Sequence, residues 1–170
     1  DGLPYFVMEY VEGVPIDEYC NREALDVTQR LELFRQVCAA VSYAHRHAVI
    51  HRDLKPSNIL VGADGVPKLL DFGIARLLQA GDAIESPATM LEQRVMTPEY
   101  ASPEHLRGEP VTTASDVYSL GVVLYRLLTG QLPHRLKAQS AEDMARTVGQ
   151  TEPQRPSVVT DATNGRRLRG

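Results

Sequence analysis

The sequence predicts an α+β domain, mostly helical with a small antiparallel element, and three observations predict it. An amphipathic helix begins at Asp26, a short strand pair brackets a glycine-rich turn at 62–65, and a helix apolar on nearly all sides fills 116–129.

Taken in order, residues 4–11 are rich in β-branched and aromatic side chains and stop at Glu12 and Gly13, the pattern of a strand that enters a turn. From Asp26 onward, Val27, Leu31, Phe34, Cys38, Val41 and His45 recur at three and four, with Asp26 and Gln29 spaced as a capping box, so a helix is expected to end before Val49. Residues 59–61 and 68–70 flank Gly62, Ala63, Asp64 and Gly65, the composition of a hairpin turn. Residues 79–97 carry Gly, Pro, Ser and Thr without periodicity, and a stretch of that length is read as a regulatory loop. The helix over 116–129 closes at Gly130 and, apolar on most faces, is expected at the centre of the domain. Ser140 and Asp143 cap a further helix that ends near Gly149, and the remainder, with Pro153, Pro156 and the basic run from Arg166 to Arg169, reads as irregular. Neither an internal repeat nor a domain boundary is visible.

Bulk properties narrow the function. A chain of 170 residues, 43% hydrophobic and 24% charged, has the composition of one folded domain. Its formal net charge of -4 gives no broad basic surface, which argues against nucleic acid as a partner. The most apolar stretch, 117–128, holds Tyr118, Ser119 and Arg126 and falls short of the roughly 20 residues needed to cross a bilayer, so no membrane contact is expected in this segment. Cys20 and Cys38 lack metal-ligand spacing and fit a reducing, cytoplasmic setting. No targeting signal is read at the start, which is Asp1 rather than Met.

The chemistry concentrates around the hairpin. Asn58 precedes its first strand and Asp71 follows its second, and antiparallel pairing brings those two ends together. An amide oxygen and a carboxylate converging there suit Mg²⁺, which keeps several waters and accepts phosphate oxygens beside few protein ligands. Asp53, five residues ahead of Asn58, is left for proton work.

The run His51-Arg52-Asp53-Leu54-Lys55-Pro56-Ser57-Asn58 resembles the catalytic loop of protein kinases, and Asp71-Phe72-Gly73 resembles their magnesium-binding motif. Ser102-Pro103-Glu104 is similar to the triplet that closes the activation segment, and Asp116 with its apolar helix to the family's central helix. Each residue alone has a duller explanation as a turn former, cap or solvated charge, but together they would have to imitate an ordered motif set by accident. The resemblance implies a protein-kinase-like fold, mainly the helical C-lobe with the hinge strand and the catalytic hairpin. It implies ATP and Mg²⁺ as cofactors and protein Ser/Thr hydroxyls as acceptors, with oligomeric state unassigned.

Residue by residue, the resemblance assigns Asp53 to orient and deprotonate the acceptor hydroxyl, Lys55 to hold the transferring phosphate, and Asn58 and Asp71 to bind magnesium. Lys55 two residues after Asp53 marks the serine/threonine form, and Thr97 falls where relatives contact the catalytic Asp and Lys. The segment 4–11 resembles the hinge, with Met8 at the back of the adenine pocket, the Glu9 carbonyl and Val11 N–H on the base, and Leu60 beneath the ring. Arg52 marks the class in which a phosphate on the activation loop pairs with that arginine, with Ser86 and Thr89 as the candidate sites. Ser57 and Arg126 stand where kinases that favour basic substrates carry acidic residues, so Arg126 is expected to disfavour arginine in the substrate. His51 and Phe72 are read as packing residues, Asp116 as an anchor for the catalytic-loop backbone, and Cys20, Cys38, His45 and His47 as structural or surface residues.

Two parts of the family pattern do not occur: a glycine-rich loop with its strand lysine ahead of the hinge, and the last C-lobe helices, which include the usual arginine partner of Glu104. Residues 1–170 are therefore expected to be part of a kinase domain, inactive alone, with the N-lobe and last helices outside them. A pseudokinase or protein-binding scaffold is the alternative from another class, disfavoured because Asp53, Asn58 and Asp71 are intact. A small-molecule phosphotransferase of the aminoglycoside kinase type is disfavoured by Arg52, by Lys55-Pro56 and by the Ser-Pro-Glu triplet.

Overall fold

The computed structural model describes residues 8–72, 97–136, 140–160 and 168. The short helix α1 (Ile16–Arg22) places Asp17 and Glu18 in its first turn and Arg22 in its last, matching the helix dipole, and buries Ile16 and Cys20 on one side. After a break at Ala24, the helix α2 (Val27–Arg46) opens with the expected capping box: Gln29 N–H donates to Asp26 Oδ1 and the Gln29 side chain accepts from Asp26 N–H, both at 2.9 Å. Its buried stripe is Val27, Leu33, Phe34, Val37, Val41 and Ala44. Leu31, expected inside, is exposed, because the buried face is turned toward the row that holds 33, 37 and 44.

Three antiparallel strands, β1 (Val14–Pro15), β2 (Ile59–Val61) and β3 (Pro67–Leu69), form one sheet in that order. Val14 pairs with Val61 and Leu60 with Lys68. At Gly13 a β-carbon would lie 2.8 Å from the Val61 carbonyl oxygen, so only glycine lets β1 approach β2. The β2–β3 turn closes as its composition implies, with Asp64 Oδ1 accepting from Val66 N–H at 3.0 Å and Gly65 at a φ of 74°. Of the strand expected over 4–11, residues 4–7 lie outside the described residues, and Met8 to Val11 belong to no strand; the pairing starts three residues later at Val14. Strand-forming side chains do not make a strand without a neighbouring ladder, and none reaches 8–11 among the described residues.

The helix α3 (Pro103–Leu106) is capped by Ser102, and α4 (Thr113–Thr129) starts three residues earlier than expected because Thr112 and Ser115 form a second capping box. Gly130 ends α4 in the left-handed conformation, φ 71°. Ser140 caps α5 (Ala141–Gln150), and a single turn, α6 (Pro156–Val159), replaces the irregular chain expected there, with Pro156 at its first position where no amide hydrogen is needed. The main core joins Ile16 and Cys20 of α1, Leu33, Phe34, Val37 and Val41 of α2, Leu54, the sheet residues Ile59 and Val61, and Leu120, Val123 and Leu127 of α4. Ala101, Leu106 and Ala145 make a smaller core between α3 and α5.

Arg30 ties the main core together. Its guanidinium donates to the carbonyls of Leu25, Cys20 and Leu127 and to Asn21 Oδ1, at 2.8 to 3.2 Å, so the ends of α1 and α4 are both held to the start of α2. No helix among the described residues is long and apolar enough to cross a membrane.

Candidate active site

The site is built on the segment between α2 and β2. Asp116, 1% exposed in the first turn of α4, holds that segment by its backbone: Oδ2 accepts from His51 N–H and Oδ1 from Arg52 N–H, each at 2.8 Å. His45 Nε2 lies 2.7 Å from Oδ2, so the buried carboxylate has three partners. With its amide pinned, Arg52 takes a left-handed backbone, φ 72°, which turns the chain so that Asp53 leaves the core while Leu54 returns to it. A turn of 3-10 helix, Pro56–Asn58, then leads into β2.

The candidate side chains meet at this turn. Asn58 Nδ2 donates to the Asp53 carbonyl at 2.8 Å and to Asp53 Oδ2 at 2.9 Å, while Lys55 Nζ lies 2.8 Å from the same Oδ2. Lys55 also donates to Thr97 Oγ1 at 3.4 Å, which joins the turn to the segment before α3. Asp53 remains about half exposed, a carboxylate fixed in direction yet open to solvent. Leu70 N–H donates to the Asn58 carbonyl at 2.9 Å, so the hairpin delivers Asp71 beside Asn58. Asp71 is exposed, has a φ of 53°, and its carboxylate has no hydrogen-bond or ion-pair partner among the described residues.

These oxygens fit a magnesium ion. Both donations from Asn58 leave through Nδ2, which fixes the amide orientation and leaves Oδ1 as an acceptor beside the free carboxylate of Asp71. An amide and a carboxylate oxygen suit a hard cation that keeps its waters, whereas no group of three or more His, Cys, Asp or Glu residues among those described could enclose a metal. Behind them His51 is fully buried, its ring 4.7 Å from that of Phe72. Burial pushes the His51 imidazole below its ordinary pKa, against the pull of Asp116, Asp53 and the nearby Leu70 carbonyl. Neither ring nitrogen has a partner in hydrogen-bond geometry, so the neutral ring acts as packing under Phe72.

At the other edge, Glu9 Oε1 and Lys68 Nζ form an ion pair of 2.8 Å, which sets the segment 8–11 against β3 at the level of Leu60, the cross-strand neighbour of Lys68. Met8 is exposed, and Val11 and Leu60 are half-buried. Ser57 is exposed beside the turn. Arg52 faces a shallow cleft formed with Gly108, Glu109, Pro110 and Val111, and its guanidinium has no partner among the described residues. Ser86, Thr89, Gly73 and nearly all of the loop expected over 79–97 lie outside the described residues. Arg126 donates from Nε to Asp17 Oδ2 at 2.9 Å, so the arginine expected to repel basic substrates has its charge balanced.

Set beside known proteins, residues 3–163 match the protein kinase domain model. The chain belongs to the protein kinase family. The serine/threonine-protein kinase PknB of Mycolicibacterium smegmatis is 43% identical over 133 residues, 77% of this chain and 21% of that protein. PknB of Mycobacterium tuberculosis is 42% identical over 133 residues and PknB of Mycobacterium leprae 40% over 132, with the same coverage of each chain. The chain thus spans about a fifth of the length of the curated relatives it matches.

Three contributors to the site escaped the sequence reading. Ser115 donates to Glu104 Oε1 while its oxygen accepts from Thr112 N–H, so among the described residues a serine bonds the carboxylate whose usual arginine partner was read as absent from this chain. Burial pushes the Glu104 carboxyl up, but the hydrogen bonds from Ser115, its own backbone and Ser102, with Arg107 nearby, outweigh it and hold the value below the usual range. The Thr112-x-x-Ser115 spacing signals the cap, though not the bond to Glu104. His45 and Asp17 had no signal at all, since their partners Asp116 and Arg126 lie 71 and 109 residues away.

Proposed function

We propose that the protein is a serine/threonine protein kinase that transfers the γ-phosphate of ATP to Ser or Thr hydroxyls of other proteins, and that residues 1–170 are part of its catalytic domain. The observation that carries this reading is the convergence of Asp53, Lys55 and Asn58 on one carboxylate oxygen, with the free oxygens of Asn58 and Asp71 beside it. Asp53 orients the acceptor hydroxyl and takes its proton, and it is placed for this by Asn58 from one side and Lys55 from the other. Lys55, already beside the Asp53 carboxylate, holds the transferring phosphate. Asn58 and Asp71 hold magnesium, which when bound neutralises charge on the phosphates.

In the same reading Met8, Glu9, Val11 and Leu60 line the adenine site, with the Glu9 carbonyl and the Val11 N–H on the base. The ion pair between Glu9 and Lys68 supports it, because it sets that segment over the strand that carries Leu60's partner. Thr97 and Ser57 flank the acceptor peptide, Lys55 being already bonded to Thr97. Arg52, a cation without a described counterion, receives a phosphate on Ser86 or Thr89. The domain works in the cytoplasm, and residues 1–170 alone transfer phosphate negligibly, for want of a glycine-rich loop and a strand lysine over the nucleotide.

The test is γ-phosphate transfer by the full-length protein to a generic protein acceptor, with Asp53→Asn and Asp71→Asn compared. Both variants are expected to lose at least about a hundredfold in kcat. Asp53→Asn keeps Mg·ATP affinity near wild type, whereas Asp71→Asn weakens it about tenfold or more by loss of a metal ligand. Equal loss of nucleotide affinity in the two variants would refute the assigned roles, and a wild type without phosphotransfer would refute the activity.

A further inference from the structure

In the reading above the Glu9 carbonyl and the Val11 N–H meet a base, yet the backbone of that segment is not secured by its own bonds. Residues 8–11 belong to no strand, and among the described residues no backbone hydrogen bond reaches them. One side-chain contact does: Lys68 Nζ donates to Glu9 Oε1 at 2.8 Å, from 59 positions away. Lys68 stands at the centre of β3, which is laddered to β2 on both sides of it, Ile59 pairing with Leu69, Leu60 with Lys68 and Val61 with Pro67. Ile59 and Val61 are buried in the main core, so the base of this lysine cannot shift without moving that core.

Direct cross-strand neighbours share a face of the sheet, so Lys68 and Leu60 stand side by side on the face opposite to Ile59 and Val61. The lysine therefore starts beside the apolar side chain read as the floor of the nucleotide site and ends on the segment read as its polar edge. Each partner keeps the other charged: the hydrogen bond from Lys68, and then its charge, hold the Glu9 carboxyl below its ordinary range, and Glu9 pushes the Lys68 ammonium up. Both side chains are exposed, so the pair adds little to the stability of the fold. What it supplies is register between two parts of one pocket.

We propose that Lys68 is a positioning residue of the nucleotide site, which through Glu9 fixes the register of the Glu9 carbonyl and the Val11 N–H over Leu60, and with it the choice of base. The inference rests on the kinase reading above and deepens it. An acceptor followed by a donor fits the amine and the ring nitrogen of adenine, whereas guanine offers a carbonyl and an N–H in the reverse order. Discrimination between the two depends on an edge held at hydrogen-bond distance, since a loosened edge neither rewards adenine nor penalises guanine in full. An exposed ion pair of this kind is worth at most about fivefold in an equilibrium, so a change of about threefold is expected.

The experiment measures phosphate transfer by the full-length protein to a generic protein acceptor, with ATP or GTP varied as the donor. Lys68→Met, which keeps the stem and removes the charge, is expected to raise KM for ATP about threefold with kcat near wild type, and to lower the ATP-to-GTP ratio of kcat/KM by a similar factor. Lys68→Arg keeps both values near wild type, and adding Glu9→Lys to Lys68→Glu restores the KM that Lys68→Glu alone raises. A pair that served only the stability of the fold would move the melting temperature and leave the base ratio unchanged. A KM or a base ratio in Lys68→Met equal to wild type, a loss of kcat alone, or a raised KM that the exchanged pair does not restore overturns the positioning role and leaves the kinase reading standing. A wild type that transfers phosphate from neither nucleotide overturns both.

Discussion

Replacement of Asp116 by alanine removes the side chain that holds the His51 and Arg52 amides at the start of the turn, and the cost can be worked out bond by bond. His51 N–H is buried and Arg52 N–H is partly buried, and both donate only to this carboxylate among the contacts described. Without it each amide is stranded, at about 2 to 3 kcal/mol for the buried one and about 1 kcal/mol for the other. His45 also loses a partner, but at the edge of the core water replaces it at little cost. Relief from burying a negative charge returns a part of this, so a net local loss of about 3 kcal/mol is expected at residues 51–53. In native-state hydrogen exchange that is roughly a hundredfold faster exchange of these amides, read by mass spectrometry on the peptide that spans them in the full-length protein. Asp116→Asn, with one acceptor oxygen left, is expected to show about a tenfold effect, and His45→Ala, which strands no backbone group, less than that. Exchange within threefold of wild type in Asp116→Ala would refute the claim that this carboxylate holds the turn.

Arg30→Ala is expected to destabilise the domain by about 2 to 4 kcal/mol through loss of its bonds to Leu25, Cys20, Leu127 and Asn21, measured by thermal unfolding; a shift no larger than that of a surface Arg→Ala control would contradict it. Because burial holds the His51 imidazole below its ordinary 6.5, the unfolded chain takes up that proton first on acidification. The contribution of His51 to stability is therefore complete above about 6.5 and declines below it, so the acid limb of a melting-temperature profile should flatten in His51→Phe; identical limbs would argue against it. Phosphate on Ser86 or Thr89 is expected to raise activity severalfold in wild type and not in Arg52→Ala, and an unmodified loop in a fully active sample, seen by mass spectrometry, would exclude this route.

Local chemistry was legible where the signal is local. The Asp26 and Gln29 box, the Asp64-Gly65 turn and the Gly130 terminus each act within four residues, and each appears where the sequence places it. The row chosen for α2 was only partly right, because Val27, Phe34 and Val41 lie on the border of two possible stripes and only the packing partner selects Leu33 and Val37 over Leu31. Helix α1 went unread since seven residues with two apolar anchors are too few to show a period, and it is packing on the core that makes it form. The segment 8–11 shows the converse, high strand propensity without a ladder to join. In the candidate site, the hairpin could be placed from spacing, and the turn before it from the resemblance of residues 51–58 to a kinase catalytic loop. The pairs His45 with Asp116 and Asp17 with Arg126 could not, for a charge in a sequence gives no sign of the partner that tertiary structure brings to it.

The bond from Arg30 to the Leu127 carbonyl bears on how such a chain is made as well as on how it stands. A ribosome delivers residues at about 5 to 20 per second, so the guanidinium emerges several seconds before the carbonyl that it grips across 97 positions. Asp116 likewise arrives long after the turn that it secures. During that interval α2 and the hairpin present an apolar face with no floor, and Asp53, Lys55 and Asn58 are synthesised before the carboxylate that holds their turn. Synthesis of α4 is thus the step that lets the turn at 51–58 be held, and a chain stalled before Leu127 is expected to be a substrate for chaperones.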